Sequence, residues 1–251
     1  MLNNKKVCVF VDGENLRHSI GDLFPDFNRT SYIPKADWTK FFNWISCEVA
    51  GRDAERIRTY WYVVQNIDFA PANINAARKD MENLERILLK DSERAKQLSK
   101  ITIQEKRNAL IEQMADDIQE IQGVMEKRFD GWTYIQNSIA QNHTAIEFRR
   151  AGSIRYDLFK KVFGSEKAVD IKLAIDLIKL KDIYDIAIIV SGDQDYVPEV
   201  DAIKDFGKHT VNVAFRTENG YLLPSGAKRL NQSTDWSIEI KHSDLKNYLN
   251  L

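Results

Sequence analysis

The hydrophobic positions of this chain form short apolar runs that alternate with amphipathic stretches. Runs rich in β-branched and aromatic residues predict strands, whereas apolar residues three and four positions apart predict helices. The predicted strands are 7–11, 57–64, 186–190, 210–215 and 236–240, with shorter candidates at 146–148 and 153–157. The predicted helices are 38–49, 169–180, 196–206 and 222–230. Strands that alternate with helices imply an α/β fold with a central parallel sheet.

The predicted helix 169–180 carries apolar residues at core spacing, which assigns its buried face. These residues are Ile171, Ala174, Ile175 and Ile178.

The segment 72–128 departs from the alternation, because it holds no proline and no strand-like run. Two apolar stripes step through it by three and four residues, and they do not share one register. The stripes are Ala77, Met81, Leu84 and Leu88, then Ile111, Met114, Ile118, Ile121 and Met125. We therefore predict two long helices folded into an antiparallel, coiled-coil-like hairpin that reverses near 98–103. One long helix with a register slip is the alternative.

This pattern predicts one catalytic domain, 1–71 and 129–251, interrupted by an inserted helical arm, 72–128. Several roles are open for the arm. It could form a homodimer, hold a protein partner, clamp a substrate or pack as a spacer on its own domain.

Composition excludes several classes of protein. With 43% hydrophobic residues the chain can bury a sizeable core, so it is not intrinsically disordered. A net charge of −1 and a pI of about 6.5 give no global basic field, which argues against a non-specific nucleic-acid coat protein. No apolar run has membrane-spanning length and no signal peptide is visible. We therefore expect a cytoplasmic protein with no membrane contact.

Four aspartates accompany the predicted elements of the sheet. Asp12 ends the first strand, Asp193 and Asp195 follow the strand 186–190, and Asp170 lies in the first turn of a helix. The carboxyl ends of parallel strands share one edge of a sheet, where α/β proteins bind ligands. Carboxylates that converge there repel one another unless a divalent cation lies between them, and hard oxygen ligands select Mg²⁺ or Mn²⁺. The acids therefore suggest a metal-dependent enzyme that acts on phosphate esters.

Each acid also has a structural interpretation. Asp12 would cap the helix that follows it, and either Asp193 or Asp195 would cap the next helix. Asp170 would be stabilised in its first turn by the helix dipole. Asp176 lies on a different face of the helix from Asp170 and is predicted to be structural.

Residues beside the acids supply candidate support. Asn15 could orient the Asp12 carboxylate or contact a phosphate, and Ser191 could bind a phosphate or hold an acid in place. Lys167 could neutralise a scissile phosphate or stabilise the leaving group. Gly192 is expected to let the chain turn and a ligand approach closely.

Basic residues flank the acids and could form a phosphate-binding rim that positions RNA. Ordinary solvated surface is the alternative. The candidates are Arg17, Arg149, Arg150 and Lys172.

The motifs that hold these residues resemble the NYN domains, PIN-like nucleases that include the LabA group. The similar pieces are Phe10-Val-Asp-Gly-Glu-Asn15, Lys167-Ala-Val-Asp-Ile-Lys-Leu-Ala-Ile-Asp176 and Val190-Ser-Gly-Asp-Gln-Asp-Tyr-Val-Pro198. The likeness covers about residues 5–70 and 145–240. The family usually has glycine at the position of Ala168, and the helical arm is not part of the common domain.

The resemblance implies a PIN-like three-layer α/β sandwich and a Mg²⁺- or Mn²⁺-dependent endoribonuclease. Such an enzyme hydrolyses RNA phosphodiester bonds with a metal-activated water and needs no side-chain nucleophile. By this resemblance, Asn15 and Ser191 are the polar support of the site. The catalytic and metal-binding residues implied are Asp12, Asp170, Asp193 and Asp195.

Two other functions compete with the ribonuclease. A non-catalytic RNA- or protein-binding module could use the same fold and the arm, although a binder has no reason to tolerate four clustered carboxylates. A small-molecule phosphohydrolase is disfavoured, because Glu14 does not complete an Asp-x-Asp loop after the first strand.

Overall fold

The computed structural model of the chain describes residues 4–25, 33–72, 74–224 and 227–249. Its strands are β1 Lys6–Asp12, β2 Glu55–Ala70, β3 Ile146–Asp157, β4 Val162–Lys167, β5 Ile186–Val190, β6 His209–Arg216, β7 Leu222–Leu223 and β8 Trp236–Lys241. Its α-helices are α1 Gly13–Leu23, α2 Trp38–Ala50, α3 Ile74–Ala77, α4 Met81–Leu88, α5 Ser92–Ser99, α6 Gln104–Asn142, α7 Val169–Lys179, α8 Val197–Asp205, α9 Ala227–Ser233 and α10 His242–Lys246. Two 3₁₀ turns lie at Lys181–Ile183 and Gln194–Tyr196.

The chain divides into two units. The first unit comprises Met1–Val63, Tyr134–Ala151 and Ala168–Leu251, and the second comprises Val64–Thr133 and Gly152–Lys167. The predicted arm, 72–128, falls inside the second unit, which also holds the ends of β2 and β3 and all of β4.

The sheet of the first unit is built around β1. Strand β1 pairs in parallel with β2 on one side and with β5 on the other, and β5, β6 and β8 continue in parallel. The strand order therefore reverses between β1 and β5, which makes their carboxyl ends the topological switch point of the sheet. Residues 7–11 of β1 are fully buried, as is usual for parallel strands covered on both faces. The predicted α/β fold with a central, mostly parallel sheet is confirmed.

Helix α7 presents a different face to the core from the one predicted. Its buried apolar residues are Val169, Leu173 and Leu177. Ile171 and Ile175 are 62% and 53% exposed, so the predicted core face is wrong. The sequence offers two apolar faces, and the buried one also carries a fully buried aspartate whose partners are described below.

Two further predictions are confirmed only in part. The short candidates at 146–148 and 153–157 are parts of one strand, β3, and β4 was not predicted because Val162–Lys167 has no apolar run. The predicted helix 222–230, of which residues 225–226 lie outside the described ranges, begins instead as strand β7. Pro224 explains this, since a residue that precedes proline avoids the helical conformation.

The helical arm of the second unit differs from the prediction in its first limb. In place of one long helix, the chain forms α3, α4 and α5. Asp80 and Asp91 interrupt it, because their side chains accept hydrogen bonds from the backbone amides of Asn83, at 3.2 Å, and Arg94, at 3.0 Å, and so start new helices. The second limb, α6, is a single helix of 39 residues.

The two limbs of the arm run antiparallel, as predicted. Arg78, before α4, binds Glu112 of α6 at 3.3 Å, whereas Glu85, further along, binds Arg107 near the start of α6 at 2.8 Å. The order of contacts is therefore reversed between the limbs. The chain turns between α5 and α6, within the predicted reversal, so the alternative of one continuous helix is wrong.

Both predicted stripes contribute to the core of the second unit. The residues of these stripes with at most 4% exposure are Ala77, Leu84, Leu88, Ile111, Met114, Ile118 and Met125. Among the described residues, no helix combines the length and the apolar character needed to cross a bilayer.

Two neighbouring leucines, one at the end of α4 and one just after it, allow a matched test of this core. Leu88 is fully buried and Leu89 is 43% exposed. We expect Leu88→Ala to destabilise the second unit by about 2–5 kcal/mol through loss of burial and a residual cavity, and Leu89→Ala to cost much less. Urea unfolding followed by helical circular dichroism measures both. Equal losses in the two variants would contradict the described packing of the arm.

Candidate functional site

Asp12 lies at the switch point of the sheet and is only 3% exposed. It ends β1 and caps α1, where its Oδ1 accepts a hydrogen bond from the Asn15 backbone amide at 3.0 Å. Its Oδ2 accepts from the Asn15 side-chain amide at 2.5 Å and from the Ser191 hydroxyl at 3.0 Å. Asn15 and Ser191 therefore do hold the carboxylate, and helix capping accompanies that role instead of replacing it.

The pKa of Asp12 is raised to about 6, chiefly by burial. The hydrogen bond from the Asn15 backbone amide opposes this rise, and the nearby charge of Asp170 contributes to it. Besides burial, the groups that contribute most to this shift are Asn15, Asp170 and Ser191, and none of them is a cation. A carboxylate held this way carries its negative charge near neutral pH only at a cost. A cation bound beside Asp12 would offset that cost.

Tyr196 connects Asp12 with Asp170. Its buried hydroxyl donates to Asp170 Oδ1 at 2.9 Å and lies 3.5 Å from Asp12 Oδ2. Burial and the two carboxylates raise the pKa of Tyr196, so the phenol remains protonated and acts as a donor. The sequence predicts Tyr196 only as the start of a helix. Its place directly after Asp195 was the available sign of a role in the site.

Asp193 and Asp195 divide their roles within the 3₁₀ turn. The Asp193 amide donates to the Ser191 hydroxyl at 3.1 Å, and the Asp193 carboxylate accepts from the Asp195 amide at 2.9 Å. Asp193 is thus the capping residue. Across the described residues, the exposed carboxylate of Asp195 has no hydrogen-bond or ion-pair partner, which leaves it available to a ligand.

Asp170 is half-buried in the first turn of α7. Burial raises its pKa, the hydrogen bond from Tyr196 opposes that rise, and the charges of Asp193 and Asp195 add to it. The negative charges of Asp193 and Asp195 therefore raise the pKa of Asp170, and the charge of Asp170 raises that of Asp12. Hydrogen bonds through Ser191 and Tyr196 connect Asp12 with the Asp193 backbone and with Asp170, and the Asp195 amide donates to Asp193. We call these four acids the acid cluster.

The start of α7 depends on an unusual backbone conformation. Ala168, the N-cap, has φ of 72°, in the left-handed region, and makes no side-chain cap. Glycine adopts this conformation without the steric cost that a Cβ brings. The alanine at this position therefore retains the backbone geometry that places Asp170, with some local strain.

Gly192 has a different function from the predicted turn. It is not among the residues with positive φ. A Cβ at this position would lie 2.5 Å from Pro224 Cγ, so glycine is required by close packing. Glycine is required at position 13 for the same reason, since a Cβ added there would lie 2.4 Å from the carbonyl oxygen of Tyr62.

The acid cluster fits a hard divalent cation in donor type and charge, since all its ligating atoms are carboxylate oxygens that disfavour one another. In the described ranges, however, no three His, Cys, Asp or Glu side chains are grouped closely enough to hold a metal ion as they stand. A cation that keeps several waters and takes only one or two carboxylates suits this arrangement, and Mg²⁺ binds in that manner.

Asp176 lies in a second polar cluster of the first unit. It is fully buried and accepts hydrogen bonds from the Arg149 guanidinium, from Lys172 Nζ at 2.9 Å and from the Tyr62 hydroxyl at 3.2 Å. Burial alone would raise the pKa of Asp176, but the bonds from Lys172 and Arg149 hold it below its usual value. Two of the predicted substrate-binding cations thus neutralise a structural acid.

The remaining predicted cations lie in various environments. Arg17 is paired with Glu14 at 3.0 Å. Burial alone would raise the pKa of Glu14, but hydrogen bonds from His18 and Arg17 lower it to about 2. Arg150 binds two side-chain amides of α6 at 3.0 and 2.8 Å. Lys167 ends β4 and belongs to the second unit. A substrate-binding role for these residues stays a prediction.

We expect Asp176→Asn to destabilise the protein by about 3 kcal/mol at pH 7, the lower end for a broken buried ion pair, because Lys172 is 38% exposed. Since the folded pKa of Asp176 is lowered from 3.8, its stabilisation is present above about pH 4 and is lost as the pH falls through the folded value. Denaturant unfolding of both proteins between pH 7 and pH 3 measures this difference.

The matched control is Asp182→Asn, which removes a carboxylate that pairs with Lys181 at 2.9 Å and is 80% exposed. An exposed ion pair contributes about 0–1 kcal/mol. If Asp176→Asn cost no more than this control, the buried cluster would not stabilise the first unit.

The sequence matches the family model of the NYN domain over residues 6–233. No curated protein matches it. Among solved structures it is similar to a crystal structure of a protein of unknown function from Vibrio parahaemolyticus, with 13% identity, a TM-score of 0.45 and coverage of 96% of this chain and 95% of that chain. That likeness is too distant to bear on function. Because the family match covers nearly the whole chain and includes the acid cluster, this chain belongs to the NYN domain family, in the PIN-like nuclease superfamily.

Proposed function

We propose that the protein is an endoribonuclease that depends on Mg²⁺ or Mn²⁺. The observation that carries the proposal is the acid cluster itself. Four carboxylates lie at the switch point of a parallel sheet, where α/β proteins bind ligands. The pKa values of Asp12 and Asp170 are both raised, in part by neighbouring acids. Such perturbed groups are typical of functional sites.

The residues proposed to hold the cation, one or two directly and the others through its bound waters, are Asp12, Asp170, Asp193 and Asp195. When bound, it would supply an activated water and neutralise charge on the scissile phosphate. Asp12 is oriented for this by hydrogen bonds from Asn15 and Ser191.

Tyr196 and Asp195 complete the proposed site. The Tyr196 hydroxyl stabilises the ionised form of Asp170 by donating to it. The Asp195 carboxylate is exposed, so it can meet a cation that arrives with the RNA phosphate. Lys167 is retained as a predicted support residue from the sequence.

A non-catalytic RNA- or protein-binding module is the second candidate. Its support is indirect: Arg17, Arg149 and Lys172, predicted to bind RNA phosphates, are all paired with acids, which weakens the predicted RNA-binding rim of an enzyme and favours a protein partner. This candidate gives no account of why four acids are held together. We also propose a cytoplasmic location, and a homodimer or protein partner contacted through the arm, from the sequence alone.

We expect Asp193→Asn to reduce cleavage of single-stranded RNA by about 100-fold or more in Mn²⁺ or Mg²⁺, because it removes a carboxylate from the proposed metal site. The measurement is gel-resolved cleavage of labelled RNAs by the purified chain. Asp201→Asn is the control, since Asp201 lies on α8 with a side chain 62% exposed, and should cleave like the parent.

Full activity of Asp193→Asn would remove that residue from the catalytic set. If the parent cleaves no RNA or DNA with either metal but binds RNA or a protein partner tightly, the second candidate is correct.

Metal binding can be tested apart from cleavage. A ligand that binds only the folded state stabilises it, by about 2.7 kcal/mol at one hundred times its Kd. We expect Mn²⁺ to raise the melting temperature of the parent relative to EDTA, and Asp170→Asn to lose most of that shift because it lacks a proposed ligand. Thermal unfolding over a Mn²⁺ titration measures both. The control Asp201→Asn should keep the Mn²⁺-induced rise in melting temperature. If Asp170→Asn keeps the full rise as well, Asp170 is not a ligand.

A further inference from the structure

A cavity of about 650 Å³ lies within the second unit. It is formed by the end of β2 and the residues after it, by α4, and by β3 and β4. Its volume is in the range of ligand-binding clefts. Its lining differs from that of a typical apolar pocket, because cationic side chains enter it from three elements.

The cations that line this cavity are Arg86 and Lys90 of the α4 segment, Arg155 of β3 and Lys167 of β4. All four are exposed. In the ranges that the structure describes, none of them forms an ion pair with an acid. Arg86 lies on α4 and Lys90 in the turn that follows it, and both line the cavity.

Other arginines of the second unit are neutralised by nearby acids. Arg78 binds Glu112, Arg94 binds Asp91 at 3.2 Å, and Arg107 binds Glu85. The arm is therefore rich enough in acids to pair its cations, yet the cations around the cavity lack such partners.

Asp68 is the one acid among the described residues that line the cavity. Its carboxylate accepts a hydrogen bond from the Ser153 hydroxyl. Four cations and one acid give a formal local charge of +3 at pH 7, whereas the whole chain carries −1. The cavity is thus a local basic site in a chain with no global basic field.

Neutral polar residues, Ser153, Ser165 and Asn83, and several apolar residues also line the cavity. Asn83 Oδ1 accepts a hydrogen bond from Arg86 Nη2 at 2.8 Å, which holds that guanidinium. Arginine, lysine, serine and asparagine are the side chains that contact phosphate and sugar oxygens in nucleic-acid complexes.

We infer that this cavity binds the sugar–phosphate backbone of RNA. A charge surplus of three exceeds what one phosphate group requires and suits successive phosphodiesters, each of which carries one negative charge. The choice of RNA over other polyanions rests on the proposed function. The site lies in the second unit, and its residues are separate from the acid cluster.

The test compares two triple variants of the full chain that remove the same charge. Arg86→Gln/Lys90→Gln/Arg155→Gln changes the cavity, whereas Lys79→Gln/Lys100→Gln/Lys106→Gln changes exposed lysines of the same unit that lie outside it. Lys167 is left intact because the sequence also connects it with the acid cluster. The probe is a fluorescein-labelled 20-nucleotide oligouridylate, measured by fluorescence anisotropy in EDTA so that no cleavage occurs.

We expect the cavity variant to bind at least about 10-fold more weakly than the parent near 100 mM KCl. The slope of log K against log salt should fall by about 2, since each lost phosphate contact contributes about 0.7 for single strands. The control variant should change affinity by less than about 2-fold. Equal weakening in both variants, no weakening in either, or no binding by the parent would overturn the inference.

Thermal unfolding shows whether each variant is folded. If the cavity triple variant does not fold, the single charge reversals Lys90→Glu and Lys106→Glu replace the pair, with the larger loss of binding expected for Lys90→Glu. Cleavage by the parent in Mn²⁺ is measured separately. Loss of binding in the cavity variant without any cleavage by the parent supports the inference and contradicts the proposed function, whereas cleavage with unchanged binding does the reverse.

Discussion

The burial of one carboxylate, that of Asp12, constrains the rest of the first unit. A buried charged or polar group must be hydrogen-bonded, because its lost hydration is otherwise uncompensated. Asp12 meets this condition with donors from both sides of the switch point, Asn15 on α1 and Ser191 after β5. The same contacts therefore close the edge of the sheet and fix the orientation of the acid. The described groups that donate these hydrogen bonds to Asp12 are neutral, so they bring no positive charge to it.

Asp176 shows what this unit does with an aspartate that has only a structural role. Both Asp12 and Asp176 are buried. Arg149 and Lys172 hold the pKa of Asp176 down, whereas burial and a neighbouring acid hold the pKa of Asp12 up. Among the residues that the structure describes, Arg149 and Lys172 pair with Asp176, whereas Asp12 has no ion pair. This contrast supports the proposed role of Asp12 more strongly than the presence of several acids does, because acids with perturbed pKa values are candidates for functional sites.

Local features of the sequence were sufficient to predict the switch point of the sheet. The apolar runs of β1 and β5, each ending beside an acid, predict both the strands and the edge that they share. Contacts between distant segments were not predictable in the same way. The role of Tyr196 depends on α7 approaching the 3₁₀ turn, and the buried face of α7 depends on partners for Asp176 that come from other elements. The short helices of the arm lie between these two cases. Asp80 and Asp91 are capping residues that the sequence shows, but the regular apolar stripe predicts one continuous helix through them.

The net charge of −1 is a poor guide to this molecule, because it sums two opposite local fields. The acid cluster lies in the first unit, and the unpaired cations of Arg86, Lys90 and Arg155 line a cavity of the second. Within the arm, opposite charges such as those of Arg78 and Glu112 neutralise each other. The acid cluster, by contrast, suits a cation, and the cavity suits a polyanion. A nearly neutral composition is therefore compatible with nucleic-acid chemistry when the fold, and not the total charge, decides where the charges lie.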